Sequence, residues 1–323
     1  MRDLCYNIVG CDSNMKLRAV RPGATLGFIG PAGAGFIPGR LESAVETARQ
    51  MGYRVLLGDS CFASYGYLSG ADRLRAADIN AMFAHDDVDA IVCVRGGYGT
   101  PRILDMLDYD LARKHPKLLM GYSDITGLQL AYHKQCALPT LHCPMPTTEW
   151  ALPAFDPYSK KSLIDGMTAM YEGYVIQNPP GCPTHPIHPG VARGILMGGN
   201  LSLVTALMGT RYAPDFAGKI ILLEDVDEAP YRLDRMLTQL RLSGAFSACS
   251  GIVLGTFTNC LAKHPERSLT TAEVFSDLLP DGKPVLWGFQ FGHSLPSLSI
   301  PLGIMAELDA ENGTLTLLDS LYA

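Results

Sequence analysis

From Ala24 onward, short apolar runs alternate with longer stretches of helical period, and that alternation narrows the chain to α/β architectures with a parallel sheet. The first run is Ala24-Thr25-Leu26-Gly27-Phe28-Ile29, followed by a Gly/Ala/Pro loop. A helix is predicted over about Leu41 to Met51, with Leu41, Val45 and Ala48 on one face, ending at Gly52 before the strand Arg54 to Leu57. Two further units follow: a helix over about Ala71 to Phe83 leading to the strand Ala90 to Val94, and one over about Arg102 to Lys114 leading to Lys117 to Met120. Parallel strands need crossover connections, and helices supply them here.

Between about Met145 and Gly190 the texture changes. Prolines at 144, 146, 153, 157, 179, 180, 183, 186 and 189 interrupt regular structure, and the segment reads as a crossover with one helix near Lys160 to Met170. Beyond it, Gly198-Gly199-Asn200-Leu201 is expected to open a helix and Lys219 to Leu223 to form a buried strand. Leu233, Met236, Leu237 and Leu240 make the apolar stripe of another helix, and a β-hairpin is predicted around Asn312-Gly313. The expected organisation is an extension (1–20), an N-terminal α/β domain (21–150), a proline-rich linker or crossover (151–189) and a C-terminal domain (190–323). The fold class expected is α/β: a parallel-sheet domain with flanking helices, then a smaller α/β domain with a mixed sheet.

Composition excludes several roles. A formal net charge of -6 and a pI near 5.7 give no general attraction for phosphate backbones, and no local basic patch stands out, so nucleic acid is not expected as a partner. The longest apolar runs, such as Ile220 to Leu223, fall far short of the roughly 20 residues that cross a bilayer. Met1 to Asn14 do not read as a signal peptide, so a cytoplasmic location is expected. Nine cysteines at irregular spacing form no CxxC pair and read as reduced structural thiols. Cys182, His185 and His188 form C-x-x-H-x-x-H, but the interleaved prolines and the lack of an obvious fourth ligand argue against zinc. No metal or other cofactor is expected.

Gly121-Tyr122-Ser123-Asp124 ends a predicted strand and runs into a helix from about Ile125 to His133. A serine at so sharp a turn projects from the sheet's carboxyl edge, where the following amide can help to hold an oxyanion. The match is partial, because Ile125 stands where G-x-S-x-G has its second glycine, and an ordinary helix N-cap by Ser123 or Asp124 also explains the local pattern. Arg95-Gly96-Gly97-Tyr98-Gly99 follows the preceding strand, so its loop reaches the same edge, as oxyanion donor or as a plain βα turn. A serine nucleophile needs a base and an acceptor to orient that base. Of eight histidines, His293 follows a predicted strand and precedes a Ser/Pro loop, while Glu224, Asp225, Asp227 and Glu228 crowd the end of another strand; spacing does not choose among the four. Arg232, Arg235 and Arg241 read as a solvated helix face, one of which could meet a substrate carboxylate.

In order along about Ala24 to Asp309, the segments Arg95 to Gly99, Gly121 to Thr126, Gly198 to Leu201, Leu223 to Glu228 and Gly292-His293 resemble the LD-carboxypeptidase family. This is a family of serine peptidases that includes muramoyltetrapeptide carboxypeptidase and the microcin C immunity proteins. The resemblance implies a triad of Ser123 as nucleophile, His293 as general base and Glu224 as orienting carboxylate, with oxyanion amides from Gly97 and Asp124. It implies hydrolysis of the L,D-peptide bond that releases terminal D-alanine from murein tetrapeptides, on a small peptide or muropeptide, by a cytoplasmic homodimer without metal. The runner-up within the family is a microcin C immunity-type hydrolase of aminoacyl adenylate analogues. No extended insertion with an aromatic clamp is identified, and the interval from Gly198 to Glu224 is short, which favours the carboxypeptidase. A catalytically silent peptide-binding module is the more distant alternative, and Met1 to Val20 have no counterpart in the resemblance.

Overall fold

The computed structural model describes residues 15–35 and 37–323. Residues 1–14 of the expected extension, and with them the reading of a missing signal peptide, lie outside the described residues. Leu17 is buried and its amide donates to Leu321 O at 3.0 Å, tying the start of the described chain to its end.

The first sheet is built from β1 (Thr25–Ile29), β2 (Arg54–Leu57), β3 (Ala90–Cys93), β4 (Leu118–Met120) and β5 (Thr140–His142), all parallel, in the order β5-β4-β3-β1-β2. β1, β3, β4 and β5 are buried throughout, as expected of strands covered on both faces. The crossovers carry α1 (Arg40–Gln50), α2 (Asp72–Ala84), α3 (Tyr109–Lys114) and α4 (Thr126–Cys136). One predicted helix is divided: 3-10 turns over Thr100–Arg102 and Leu104–Met106 precede α3, which alone is α-helical. Asp108 causes the restart, since its carboxylate accepts from Leu111 N–H and caps a new helix.

α5 (Pro157–Thr168) fills the helix expected in the proline-rich stretch, but that stretch also contributes β6 (Val175–Gln177) and β7 (His185–His188) to the second sheet. Both are edge strands, and at that place Pro186 of β7, without an N–H, removes no ladder bond from an interior strand. The rest of that sheet is β8 (Val191–Asn200), β9 (Ile220–Val226), β10 (Gly251–Thr258), β11 (Val285–Trp287), β13 (Met305–Asp309) and β14 (Thr314–Leu317), with β12 (Ile300–Leu302) falling elsewhere. The order is β6-β14-β13-β8-β9-β10-β11-β7, parallel from β8 to β11 and antiparallel toward both edges, a mixed sheet. Its helices are α6 (Leu201–Leu207), α7 (Pro230–Leu242), α8 (Ala245–Ala248) and α9 (Thr271–Leu278). Gly198 and Gly199 lie inside β8 rather than opening a helix, and α6 begins only after Asn200. β12 leaves the second half and pairs antiparallel with β5, which makes the first sheet six-stranded and stitches the two sheets together.

Among the described residues no helix is long and apolar enough to cross a membrane. Arg75, wholly buried, donates to Pro31 O and Gly99 O and pairs with Asp72, so one guanidinium fixes the loops after β1 and β3 relative to each other. The carboxylate neutralises the buried charge, although Nε of Arg75 has no hydrogen-bond partner; an unpaired buried arginine would cost several kcal/mol, on the order of 3–5.

Candidate active site

Ser123 sits where β4 turns into α4. Tyr122 is still extended, Ser123 has φ 63°, and a 3-10 turn over Ser123–Ile125 leads into the helix. A left-handed conformation is rare for a residue with a Cβ and marks a position that the surrounding fold over-determines. The capping explanation of this turn does not hold: no side chain caps the 3-10 turn, and Asp124 Oδ2 instead accepts from Thr100 N–H at 2.8 Å. Thr100 Oγ also donates to Asp124 O at 2.6 Å, so Asp124 binds the turn to the loop after β3. Burial pushes the Asp124 carboxyl up to about 6, against the lowering effect of these bonds and of Arg75.

That loop touches the serine. A Cβ added at Gly96 would stand 2.8 Å from Ser123 Cβ, 2.9 Å from its Oγ and 3.3 Å from Asp124 N, so only glycine permits this approach. Gly97 has φ 110° and lies against Gly33, whose N–H donates to Gly96 O at 3.0 Å.

His293 arrives from the loop after β11, and its ring bridges two elements remote in sequence: Nε2 is 3.0 Å from Ser123 Oγ and Nδ1 is 2.7 Å from Glu224 Oε2. Glu224 is fully buried on β9. An ionised carboxylate only accepts, so Nδ1 carries the proton and the Nε2 lone pair faces the serine hydroxyl. Burial draws the imidazole pKa down, but the hydrogen bond and charge of Glu224, helped by Asp225 and Glu149, outweigh it, and the net shift is upward. Tyr122 packs its ring edge-on 4.9 Å from the His293 ring, while its hydroxyl donates to Glu149 Oε1 at 2.7 Å.

The four acidic residues that spacing left open separate cleanly in space. Glu224 faces His293. Asp225, its neighbour on a strand whose side chains alternate, faces the other way: it accepts from Asn200 Nδ2 and Ser202 N–H at 3.0 Å each and from Ser202 Oγ at 2.8 Å. Burial lifts Asp225 to about 6. Asp227 accepts from Asn259, and Glu228 pairs with Arg232 at 3.3 Å. The glycines of β8 also gain a reason, since a Cβ at Gly199 would stand 2.5 Å from Thr126 Oγ1, which accepts from Asn200 N–H at 3.0 Å. This contact joins β8 to the helix that Ser123 begins. Gly292, with φ 99°, leaves room for Glu224: a Cβ there would fall 2.4 Å from Oε2. Sequence reasoning missed Tyr122, Glu149, Thr126 and the spatial role of Gly292; only the glycine beside His293 carried a signal.

Cys182, His185 and His188 are not brought together as a metal site. The two histidines are three apart on the extended β7, which turns their side chains to opposite faces. Among the described residues no cluster of three or more His, Cys, Asp and Glu is arranged to hold a metal ion. Most of the described cysteines are buried.

A serine hydroxyl, an imidazole and a buried carboxylate in hydrogen-bonded series, at the edges of two α/β sheets, belong to the serine hydrolase class of architecture. The chain belongs to the LD-carboxypeptidase family: the profile of the LD-carboxypeptidase N-terminal domain matches residues 26–143 and that of the C-terminal domain residues 193–308. It is similar to a probable murein peptide carboxypeptidase of Bacillus subtilis, 39% identical over 93% of each chain. Among solved structures, the muramoyltetrapeptide carboxypeptidase from Oxalobacter formigenes matches with a TM-score of 0.78 and 26% identity, over 91% of this chain and 98% of that one. The microcin C7 self-immunity protein MccF in complex with aspartyl sulfamoyl adenosine matches with a TM-score of 0.88 over 96% of this chain and 100% of that one; at 24% identity this is a likeness of fold.

Proposed function

We propose that this chain is a cytoplasmic serine carboxypeptidase that releases terminal D-alanine from murein tetrapeptides by cleaving the L,D-peptide bond, a step of peptidoglycan recycling. The observation that carries the reading is the series Ser123 Oγ, His293, Glu224 at 3.0 and 2.7 Å, assembled from two sheets in a chain that belongs to the LD-carboxypeptidase family. His293 Nε2 takes the Ser123 proton as Oγ attacks the scissile carbonyl, and Glu224 stabilises the imidazolium that forms. The tetrahedral oxyanion is received by the amides of Gly97 and Asp124: the Gly96 backbone lies against Ser123 Oγ, and Asp124 N–H belongs to the first turn of a helix, whose amides have no intrahelical acceptor. His293 then protonates the leaving D-alanine nitrogen, and a water, activated by the same ring, frees the tripeptide from Ser123. The division of labour between a serine-bearing N-terminal half (21–150) and a Glu- and His-bearing C-terminal half (190–323), and action as a homodimer, are part of the same reading.

The substrate is tested by incubating the protein with disaccharide tetrapeptide, its free stem peptide and an aminoacyl sulfamoyl adenosine, with mass spectrometry of the products. Release of D-alanine from the tetrapeptides is expected. Exclusive turnover of the adenosine compound would replace this reading with the microcin-type one.

A further inference from the structure

A carboxypeptidase must tell a chain end from a chain interior, and neither the triad nor the oxyanion amides do that. The terminal carboxylate lies one residue past the scissile carbonyl, and successive Cα atoms are ~3.8 Å apart, so its receiver must stand just beyond the oxyanion donors. Arg95, the residue before Gly96 and Gly97, lines a cavity of about 350 Å³ together with Gly35, Arg40, Glu42, Phe62 and Thr148 among others. It folds back along the two glycines. A Cβ built at Gly97 would stand 3.8 Å from its Nη2, and one at Gly33 3.6 Å from its Nε.

Of the arginines near this edge, Arg75 and Arg102 pair with Asp72, and Arg211 with Asp105. Arg40, which lines the same cavity, is held by a neutral carbonyl, donating to Thr148 O at 3.3 Å. Arg95 is likewise without a carboxylate, and it adjoins the two glycines in sequence. Its Nη1 donates to Ala34 O at 2.7 Å, and its buried Nε has no hydrogen-bond partner. A guanidinium held by a neutral carbonyl, with a donor unmet, retains its charge for an incoming anion, and its planar fork matches a carboxylate. The residue sits on the same loop as the proposed oxyanion donor, so anchoring the carboxylate there also sets the scissile carbonyl against Ser123.

We propose that Arg95 receives the free C-terminal carboxylate of the peptide substrate, in the cavity between the loop after β1 and Thr147-Thr148, and is the specificity-determining residue for chain ends; this rests on the carboxypeptidase reading above. The test compares hydrolysis of a stem tetrapeptide with hydrolysis of its C-terminal amide by wild type, Arg95→Met and Arg95→Gln, with the thermal transition of each followed in parallel. Wild type is expected to prefer the acid. In Arg95→Met the KM for the acid rises roughly 10- to 100-fold, as for loss of a charged hydrogen-bonded pair, and the acid-over-amide preference collapses. Arg95→Gln keeps a donor for Ala34 O but no charge, so the same collapse is expected there; if the Met variant loses its transition, the Gln variant decides. Equal losses on acid and amide, or an unchanged preference, overturn the proposal and leave Arg95 as a support of the Ala34 loop. Wild type that cleaves both peptides without preference overturns this assignment alone, whereas wild type that cleaves neither overturns the carboxypeptidase reading and this inference with it.

Discussion

The edge that carries Ser123 is held by backbone geometry, whereas the edge that carries Glu224 and His293 is held by buried charge. On the first, a left-handed serine, a glycine pressed against its side chain and the Asp124–Thr100 bonds leave the hydroxyl one place to be. On the second, a fully buried carboxylate has one oxygen on His293 Nδ1 and the other without a protein partner. Its position depends on the imidazole it orients. In the proposed mechanism a rigid nucleophile therefore meets a base whose orientation is electrostatic, and each half should fail in its own way.

Ser123→Ala should break the comparison most severely. Loss of the hydroxyl is expected to lower kcat by at least about a thousandfold, up to the ~10⁶ seen for nucleophile removal in serine proteases, with the thermal transition unchanged or slightly raised. Near-normal turnover in that variant would take Ser123 out of the chemistry. Glu224→Gln comes next, at roughly 10³- to 10⁴-fold in kcat, because an amide no longer enforces the Nδ1–H tautomer. Its distinctive sign lies in the pH profile. The base works unprotonated, so activity rises with pH through the His293 pKa, which Glu224 holds above the ordinary value. Without that charge, burial is opposed only by the lesser pull of Asp225 and Glu149, and the inflection should move to lower pH; an inflection that stays in place would separate Glu224 from the base.

The same contrast explains what could be read before any coordinates. The serine edge was legible locally, since strand, glycine, serine and helix are consecutive, although sequence could not tell a nucleophile's turn from a capped helix. The charged edge was not. Glu224 and His293 are 69 residues apart, and His293 and Ser123 are 170 apart, so no periodicity relates them and only the ordered motifs of the family did. Strand alternation separates Glu224 from Asp225, but which face looks toward Ser123 depends on how two sheets pack. The strands β6, β7 and β12 escaped for a related reason: edge segments of three or four residues, two of them holding a proline, draw their order from a neighbour rather than from their own pattern.

The smallest effects come from a matched pair of single methyl groups, one pressed into each edge. Gly96→Ala places a Cβ 2.8 Å from Ser123 Cβ, and Gly292→Ala places one 2.4 Å from Glu224 Oε2 at a backbone with φ 99°. Displacements of this kind, near 1 Å, cost roughly 100-fold in rate, and the positive φ adds about 1–3 kcal/mol of destabilisation to the second variant only. The two should nevertheless differ in kind. Pushing the nucleophile lowers kcat and leaves the pH inflection where it was, because His293 keeps its carboxylate. Pushing the carboxylate lengthens its bond to Nδ1, so Gly292→Ala should behave as a weak Glu224→Gln, with a smaller loss and an inflection shifted part of the way downward. Steady-state pH profiles of both variants decide the matter, and a shift in the Gly96 variant equal to that in the Gly292 variant would remove the distinction between a geometric edge and an electrostatic one.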